Sequence, residues 1–376
     1  MPSASTTTGK TLRSESRVRR GSPGRPSGPS ERRSVKRIEA LAAVAGAFAV
    51  ASVRPAAAQT PDTVTVGAVN SVADTPFLIA DRKGFFKEVG VDVKFQTFDS
   101  GAGMIAPIGT GQIDVAGGAP AAGLYNAIAR GINMKIVADR ATDPPGYGFN
   151  VLIVRKDLVT SGRYKTLADL KGMKFAEPGK GSTSLATTER LLQKAGLKYD
   201  DVEHVFLGFP EQVVALQNGS IDATCVLEPW ATQAVKLGIA TRISGADAWY
   251  PSQQLAVVLY SVDFATKRQD VANRFMVAYV RALRYYNDAL LNGHIAGKNA
   301  ADIIAILAEV TKLDPQTLRE MTAAGVNPTG HINEKSLRDD IATFKQHGYI
   351  MADVPLSTVV DMRFVDHANA VLGPRR

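Results

Sequence analysis

The chain has 376 residues, 44 of them Lys or Arg and 36 of them Asp or Glu, which gives a formal net charge of +8. Eleven of the basic and three of the acidic residues fall within positions 1–58, so the rest of the chain carries no net charge. A neutral body argues against a nucleic-acid partner, because such partners require a basic surface. Cys225 is the single cysteine, which excludes an intramolecular disulfide and a cysteine-rich metal cluster.

The first 58 residues are organised as a leader that ends in an export signal. Residues 1–31 are rich in Ser, Pro, Gly and Arg and are expected to be disordered. Arg32 and Arg33 then precede an apolar run over residues 38–53, which is too short and too polar for a stable membrane span. The run leads to Ala56-Ala57-Ala58, so we predict cleavage after Ala58 and a periplasmic protein. The twin-arginine and general secretory routes both stay open.

Strands and helices alternate after the leader, as expected for a parallel sheet with crossover helices. Val64–Val69 is predicted to form a strand, and Thr75-Pro76 combines a capping residue with the proline typical of a helix start. A second strand follows over Val91–Phe95. Ser100-Gly101 is then expected to open the next helix.

The string Gly-x-Ile-Asp occurs twice, at Gly111–Asp114 and at Gly219–Asp222. A short strand, a proline and a helix follow in both places. The matching order of elements predicts two α/β units of similar architecture. The alternative is that this string is simply common at turns that precede strands.

Two extended segments, Gly146–Val154 and Gln254–Tyr260, are predicted to cross between the two lobes and to form a hinge beside a cleft. Beyond Asp263 the chain is expected to be helical and to pack on the first lobe. The predicted tail helices cover residues 270–292, 300–310, 316–324, 334–347 and 357–371. The predicted organisation is a leader over 1–58, the first part of lobe 1 over 59–148, lobe 2 over 149–254, and a return strand with C-terminal helices over 255–376.

Four segments carry a family resemblance: PFLIADRKGFFKEVGVDVKF (Pro76–Phe95), GTGQIDVAGGAPAAGLYNAIARG (Gly109–Gly131), GKGSTS (Gly179–Ser184) and GSIDATCVLEPWATQA (Gly219–Ala234). They resemble periplasmic substrate-binding proteins of ABC importers, in the NMT1-like branch that serves nitrate, sulfonates, taurine and thiamine precursors. The resemblance implies an α/β, two-lobed periplasmic-binding-protein fold (type II-like) with hinge crossings and a helical C-terminal region.

The resemblance also implies a function. The protein would capture a small anionic solute, of sulfonate, nitrate, carboxylate or pyrimidine type, and would deliver it as a monomer to a membrane permease with its ATPase. Neither a cofactor nor a metal is expected. Two alternatives stay open: a periplasmic hydrolase or desulfinase-like enzyme on the same fold, and a ligand-sensing partner of a membrane receptor.

The sequence gives little support to catalysis. The five histidines are scattered, without a spacing that would place two of them on one helix face. Cys225 lies inside a predicted strand, where a buried thiol is more expected than a nucleophile. No catalytic residue is therefore predicted.

A ligand of an open α/β sheet binds beyond the carboxyl ends of the strands, where helix N-termini offer unpaired N–H groups and a partial positive charge. Neutral donors at such turns can hold an anion, although a serine there can also serve only as a helix cap. Aromatic side chains at the same turns could stack on an organic ligand. For Lys180 and Trp230 the plain alternatives are a solvated lysine and a packing residue.

Two acidic side chains, Asp74 and Glu228, lie at predicted cleft turns and leave a zwitterion or a neutral heterocycle open as the ligand. Gln253 and Gln254 precede the return crossing and could donate to the ligand. The predicted ligand-binding residues are Asp74, Thr75, Ser100, Gly101, Gly118, Ala119, Phe149, Asn150, Lys180, Ser182, Thr183, Phe209, Glu228, Trp230 and Gln254.

Overall fold

The computed structural model describes residues 61–69, 71–98 and 101–375. The export signal, its cleavage after Ala58 and the predicted ligand residue Ser100 lie outside these ranges. All described residues belong to one compact unit. No helix in the described ranges is both long and apolar enough to cross a membrane.

The strands of the described ranges form two five-stranded sheets and one short pair. The first sheet has the order β2-β1-β3-β10-β4, the second has the order β7-β6-β8-β5-β9, and β11 pairs with β12. The strands are β1 (Asp62–Ala68), β2 (Val91–Thr97), β3 (Val115–Gly118), β4 (Met134–Thr142), β5 (Asn150–Arg155), β6 (Lys174–Glu177), β7 (Glu203–Phe206), β8 (Ala223–Leu227), β9 (Ala240–Gly245), β10 (Gln254–Ser261), β11 (Leu290–Leu291) and β12 (His294–Ile295).

One strand in each five-stranded sheet runs against the other four. In the first sheet β10 is antiparallel to both β3 and β4, and in the second sheet β5 is antiparallel to both β8 and β9. The segment from β4 to β5, called the first crossing below, and the segment from β9 to β10, called the second crossing, therefore both join the edges where the parallel strands end. This connectivity directs the two carboxyl-end edges toward the same junction.

Helices cover both faces of each sheet. The helices are α1 (Thr75–Arg82), α2 (Phe85–Glu88), α3 (Ile105–Gly109), α4 (Ala122–Ala129), α5 (Lys156–Thr160), α6 (Thr183–Lys194), α7 (Phe209–Gln217), α8 (Trp230–Lys236), α9 (Val262–Lys267), α10 (Gln269–Asn287), α11 (Ala300–Thr311), α12 (Pro315–Glu320), α13 (Glu334–Gln346), α14 (Leu356–Val359) and α15 (Arg363–Leu372). Apolar residues of each sheet are buried in two separate clusters, one on each face. We call the first sheet and the helices packed on it the first lobe, and the second sheet with α5–α8 the second lobe.

The repeated Gly-x-Ile-Asp string has the same structure in both lobes. Gly111 and Gly219 adopt positive φ angles of +73° and +76°, which favour glycine. Asp114 then accepts a hydrogen bond from a backbone N–H of β1 at 2.9 Å, and Asp222 accepts one from a backbone N–H of β6 at 3.1 Å. Each aspartate is also ion-paired, with Arg268 and Arg155 respectively. The repeat thus fixes the start of the strand that follows it, which is β3 in the first sheet and β8 in the second.

The C-terminal region departs from the prediction in its packing and in its helix bounds. The helices predicted to end at residues 292 and 324 end at Asn287 and Glu320. Helices α10 and α15 pack on the first lobe as expected, but α13 also packs against α6 of the second lobe. The helix predicted over 357–371 is broken into α14 and α15, because Val360 is extended and forms an isolated bridge with Ile136 of β4. This contact comes from a strand far away in the sequence, so local patterns could not predict it.

Candidate functional site

The starts of α4 and α6 meet between the two carboxyl-end edges. The Ala122 N–H donates to the Gly181 carbonyl at 2.9 Å, which joins the turn after β3 to the turn before α6. Gly181 has a φ of +67°, and a Cβ at this position would lie 3.0 Å from the Ala122 Cβ. The close approach of the two lobes therefore depends on glycine at this position.

The first lobe contributes three of the predicted residues to this region. A Cβ on Gly101 would lie 3.9 Å from the Ala119 nitrogen and 3.9 Å from the Gly118 Cα, so these backbones are neighbours. Gly118 is buried and Ala119 is exposed. The turn after β3 thus presents backbone groups, rather than long side chains, toward the second lobe.

The second lobe contributes Lys180, Ser182 and Thr183. Ser182 is the N-cap residue of α6, but its side chain makes no capping hydrogen bond, and its buried Oγ has no partner among the described residues. The Lys180 Nζ lies 5.5 Å from the centre of the Phe206 ring in the same lobe. The hydroxyl of Ser182 is therefore available to a ligand, whereas the Lys180 ammonium group lies against an aromatic face.

Asn150 lies where the first crossing enters the second sheet. Its Nδ2 is 3.4 Å from the Thr187 Oγ1, and its buried Oδ1 has no partner in the described part of the chain. Thr187 also donates to the Gln253 Oε1 at 2.6 Å, and the Gln253 Nε2 donates to the Thr183 carbonyl at 3.0 Å. Both crossings are thus linked to the first turns of α6.

Gln254 lies beside this network, but its amide is already engaged. Its Nε2 donates to the Asp139 Oδ1 at 2.6 Å, and its Oε1 accepts from the Asn333 N–H at 2.8 Å. Burial raises the pKa of Asp139 to about 7, although hydrogen bonds from Asn327 and Gln254 act in the opposite direction. Gln254 therefore orders the hinge, and a role as a ligand donor stays a prediction.

Asp74 and Thr75 are buried at the start of α1. The Asp74 carboxylate accepts hydrogen bonds from the backbone of Val69 and Ser71 and forms a buried ion pair with Arg140. The Thr75 hydroxyl donates to the Val72 carbonyl. These contacts fix the turn after β1, and they leave the charge of Asp74 balanced within the lobe.

Arg140 is a residue that the sequence did not single out. It is the extra residue of a bulge in β4 opposite β10, since Ala141 pairs with Ala256 and Asp139 pairs with Val257. Its guanidinium group lies against Gly117, where a Cβ would be only 2.7 Å from the Nε. That buried Nε has no partner among the described residues. The sequence contained only an indirect signal for such a residue: if Asp74 is buried, it requires a cation as its partner.

Glu228 is held in the second lobe in a similar way. Its carboxylate accepts from the backbone of Thr232 at 3.0 Å and of Thr322 at 3.2 Å, and it is ion-paired with Arg242. Its charge is thus balanced by protein groups. Thr322 belongs to the C-terminal region, so this contact could not be predicted from the neighbourhood of Glu228 in the sequence.

The three predicted aromatic residues take part in core packing. Phe149 is 2% exposed and belongs to the main cluster of the first lobe. Phe209 and Trp230 are partly buried against the cluster beneath α7 and α8. The structure gives each ring a packing partner, and their contact with a ligand stays a prediction.

Cys225 is buried in β8, where only 1% of it is exposed. Burial raises the pKa of its thiol well above the usual value, which disfavours the thiolate. Among the described residues, no group of three or more His, Cys, Asp or Glu side chains is placed to hold a metal ion.

Two surface grooves lie away from the junction. One of about 750 Å³ is lined by Arg155, Gly219 and Gly238, and one of about 210 Å³ is lined by Gly111, Gly131 and Ser261. Both lie at the opposite edges of the sheets, where the parallel strands begin. Ligands of open α/β sheets bind at the carboxyl-end edges, so we place the candidate site at the α4–α6 junction.

Two α/β lobes that are joined by two crossings, with facing carboxyl-end edges, define a periplasmic-binding-protein fold. A solved structure of the alkanesulfonate-binding protein of Xanthomonas axonopodis pv. citri, bound to MOPS, superimposes with a TM-score of 0.62 at 20% identity. The match covers 80% of this chain and 99% of that one. At this identity the likeness establishes the fold.

A family model described as NMT1-like matches residues 57–308, so the chain belongs to the NMT1-like family. A candidate aliphatic sulfonates-binding protein of Escherichia coli K12 is 27% identical over 201 residues, which are 52% of this chain and 59% of the relative. The taurine-binding periplasmic protein of the same organism is 26% identical over 316 residues, which are 80% of this chain and 92% of the relative. The first of these two matches spans little more than half the length of the relative.

Proposed function

We propose that this chain is a periplasmic solute-binding protein that captures a small anion between its lobes. The observation that carries the proposal is the meeting of α4 and α6, which belong to different lobes and are joined by the 2.9 Å bond from Ala122 to Gly181. Each helix start carries about half a positive charge. An anion at this junction gains from both helices only when the lobes are together.

The proposed ligand contacts are backbone groups and small polar side chains. Gly101, Gly118 and Ala119 line the junction from the first lobe. Ser182 and Thr183 line it from the second lobe, where the Ser182 hydroxyl has no protein partner among the described residues. Neutral donors of this kind suit a sulfonate, a nitrate or a carboxylate.

The ligand that this arrangement favours needs no cationic group. Asp74 and Glu228 are the acidic residues that left a zwitterion open, and both are paired inside their lobes, with Arg140 and Arg242. A ligand amine that bound either of these carboxylates would have to displace its buried partner at a cost of several kcal/mol. The sulfonate and taurine named for the two relatives support a sulfonate group as the shared chemistry.

The proposed solute is delivered to the membrane permease of an ABC importer, which works with its ATPase. Membership of the family and the predicted leader support this role and a periplasmic location. The protein acts as a monomer and carries out no reaction on its solute.

A thermal-shift panel on the purified protein tests solute binding. The panel contains sulfonates, nitrate, carboxylates, pyrimidines and aromatic acids, each beside an uncharged analogue such as the sulfonamide of the same sulfonate. At 100 times the Kd, a bound solute stabilises the folded state by about 2.7 kcal/mol. A shift with one anion class and none with its uncharged analogue is expected. Equal melting temperatures across the whole panel would overturn the proposal.

The same bound solute separates a binding protein from an enzyme. After prolonged incubation with the protein, mass spectrometry should recover the solute unchanged. Turnover that is abolished by Cys225→Ala would instead support the hydrolase alternative. The buried position of Cys225 argues against that outcome.

A further inference from the structure

Helix α13 and the turn after it, residues 334–351, contact the first lobe, the second crossing and the second lobe. We propose that this segment, called the latch below, holds the lobes together at the α4–α6 junction. The inference rests on the proposed function, because a latch matters only if the cleft opens and closes. Successive parts of the latch contact the first lobe, the second crossing, the second lobe and finally α4 of the first lobe.

The first half of the latch is anchored on the first lobe. Leu337 is fully buried in a cluster with Ile136 of β4 and Leu259 of β10. The Ser336 Oγ accepts a hydrogen bond from the Gln254 N–H at 2.9 Å. Because α13 also comes after β10 and α10 of the first lobe in the chain, we expect this end of the latch to stay with the first lobe.

The middle of the latch contacts the second crossing. The Asp340 carboxylate accepts from the Tyr250 hydroxyl at 2.6 Å and from the Gln253 Nε2 at 3.3 Å. The same Gln253 amide group donates to the Thr183 carbonyl in the first turn of α6. The latch is thereby connected through one side chain to the hinge and to the start of α6.

The last part of the latch reaches the second lobe. The His347 Nε2 lies 3.0 Å from the Glu189 Oε2 on α6, and the Gln346 Nε2 donates to the other Glu189 oxygen at 3.3 Å. The Tyr199 ring meets the His347 ring edge-on, with 4.6 Å between their centres. Glu189 thus joins two side chains of the latch to the second lobe, and the Arg190 guanidinium group lies 3.8 Å from the Asp339 carboxylate of the latch.

The turn that ends the latch returns to α4 of the first lobe. The Asn126 Nδ2 donates to the Tyr349 carbonyl at 2.6 Å, and the Met351 N–H donates to the Asn126 Oδ1 at 3.3 Å. One buried apolar cluster then combines three elements: Ala122 and Tyr125 of α4, Leu185 of α6, and Phe344 and Ile350 of the latch.

This cluster can be complete only when the lobes are together. Separation of the lobes must expose part of it and must break the contacts of Glu189, since the first half of α13 is anchored on the other lobe. The latch therefore adds to the closed state a stabilisation that does not come from the solute. Weakening it should shift the equilibrium toward the open form.

The test compares His347→Ala with His331→Ala in the absence of any solute. His331 forms a similar but more exposed histidine–carboxylate contact with Asp366 at 2.9 Å, and both residues lie in the C-terminal region away from the second lobe. Loss of a hydrogen bond to a charged group is worth about a factor of ten in an equilibrium constant. Hydrogen exchange in the first turns of α4 and α6 should therefore be about tenfold faster in His347→Ala, with a larger radius of gyration in solution scattering.

Equal exchange in the two variants would overturn the latch. Gln346→Ala, which removes the other contact of the latch with Glu189, gives an independent variant if His347→Ala fails to fold by circular dichroism. These measurements need no solute, so a thermal-shift panel without a hit would contradict the proposed function and leave the latch result standing. Where a solute is found, its Kd should rise by about the same factor in His347→Ala, because only the closed fraction binds tightly.

Discussion

Gly181 is a residue at which the two lobes approach each other closely in the junction described above. Its φ is +67°, and a Cβ there would lie 3.0 Å from the Ala122 Cβ and 3.2 Å from the Tyr349 Cβ. Any side chain at this position is therefore strained in its backbone and also pushes α4 and the latch away from α6. Family resemblance identified this turn, but the reason for its glycine becomes visible only with both lobes in place.

Gly181→Ala should lower the free energy of unfolding by about 1–2 kcal/mol, because alanine is strained at a positive φ. Solute binding should weaken as well, since the closed form loses its contact between Ala122 and Gly181. Gly179→Ala is the matched control, because a Cβ on Gly179 would meet nothing within 4 Å. Urea denaturation compares the two variants, and equal stability would contradict the close contact.

His204 is a second residue whose surroundings determine its chemistry. Its Nδ1 lies 2.8 Å from the Glu177 Oε1 and its Nε2 lies 2.8 Å from the Tyr199 carbonyl, so both ring nitrogens face acceptors. Burial lowers the pKa of His204, but these hydrogen bonds outweigh it and place the pKa above the usual 6.5. The protonated imidazolium is the form that satisfies both acceptors.

The raised pKa predicts a direction for the stability of the protein with pH. The contribution of His204 is complete below pH 6.5, the usual value, and is lost as the pH rises through the higher pKa of the folded state. His204→Gln should remove this part of the pH dependence. Urea denaturation between pH 5 and 9 measures it, and Glu177→Gln should give a similarly flattened curve. An unchanged slope in both variants would contradict the assignment.

At the scale of elements, the start of α6 differs from the start of α9, which also carries a serine at the N-cap position. Ser182 occupies the N-cap position but makes no capping hydrogen bond, whereas the Ser261 Oγ accepts from the Phe264 N–H at 3.2 Å at the start of α9. A side chain that does not stabilise its own helix is free for another partner. We interpret that partner as the solute.

Ser182→Ala should leave the free energy of unfolding within about 0.5 kcal/mol of the parent, because no cap is lost. Ser261→Ala should cost about 1 kcal/mol, since it removes a cap. The effects on solute affinity should be reversed, with weaker binding in Ser182→Ala only. Calorimetric titration and urea denaturation of both variants provide the comparison, and a destabilised Ser182→Ala with normal affinity would assign the serine to capping.

Helix starts could be predicted where their caps are local. Asn333 and Asp314 each accept a hydrogen bond from the backbone three residues later, and α13 and α12 begin as expected after them. The break between α14 and α15 was missed, because it depends on the bridge from Val360 to β4. Local signals therefore place elements, whereas contacts distant in sequence decide where some of them end.

At the scale of the whole molecule, the two-lobed architecture could be predicted from the repeated Gly-x-Ile-Asp units and the two extended crossings. The turns that form the α4–α6 junction were also predicted, since helix starts are local patterns. Whether the polar side chains at those turns are free or already paired with protein groups could not be predicted. Gln254 is held by Asn333, Glu228 by Arg242 and Thr322, and Asp74 by Arg140. Each partner comes from a distant part of the chain.

The leader predicted over residues 1–58 also leads to a prediction at this scale. Expressed in a Gram-negative host, the protein should be recovered from the periplasm with Gln59 as its first residue, as read by mass spectrometry. Replacing Arg32 and Arg33 together by Lys should block export if the twin-arginine route is used and should have little effect on the general secretory route. Recovery of the intact leader on periplasmic protein would contradict cleavage after Ala58.

The position of β10 has a consequence for the order in which the protein folds. This strand lies between β3 and β4, so the first sheet is split into two pieces until residues 254–261 have been synthesised. The second sheet is built from the continuous stretch 150–245 and can form before that time. We expect the second lobe to fold before the first, although synthesis of the first lobe begins earlier, and β3 and β4 keep exposed edges in the meantime. We therefore expect the edges of β3 and β4 to need protection until β10 has been made.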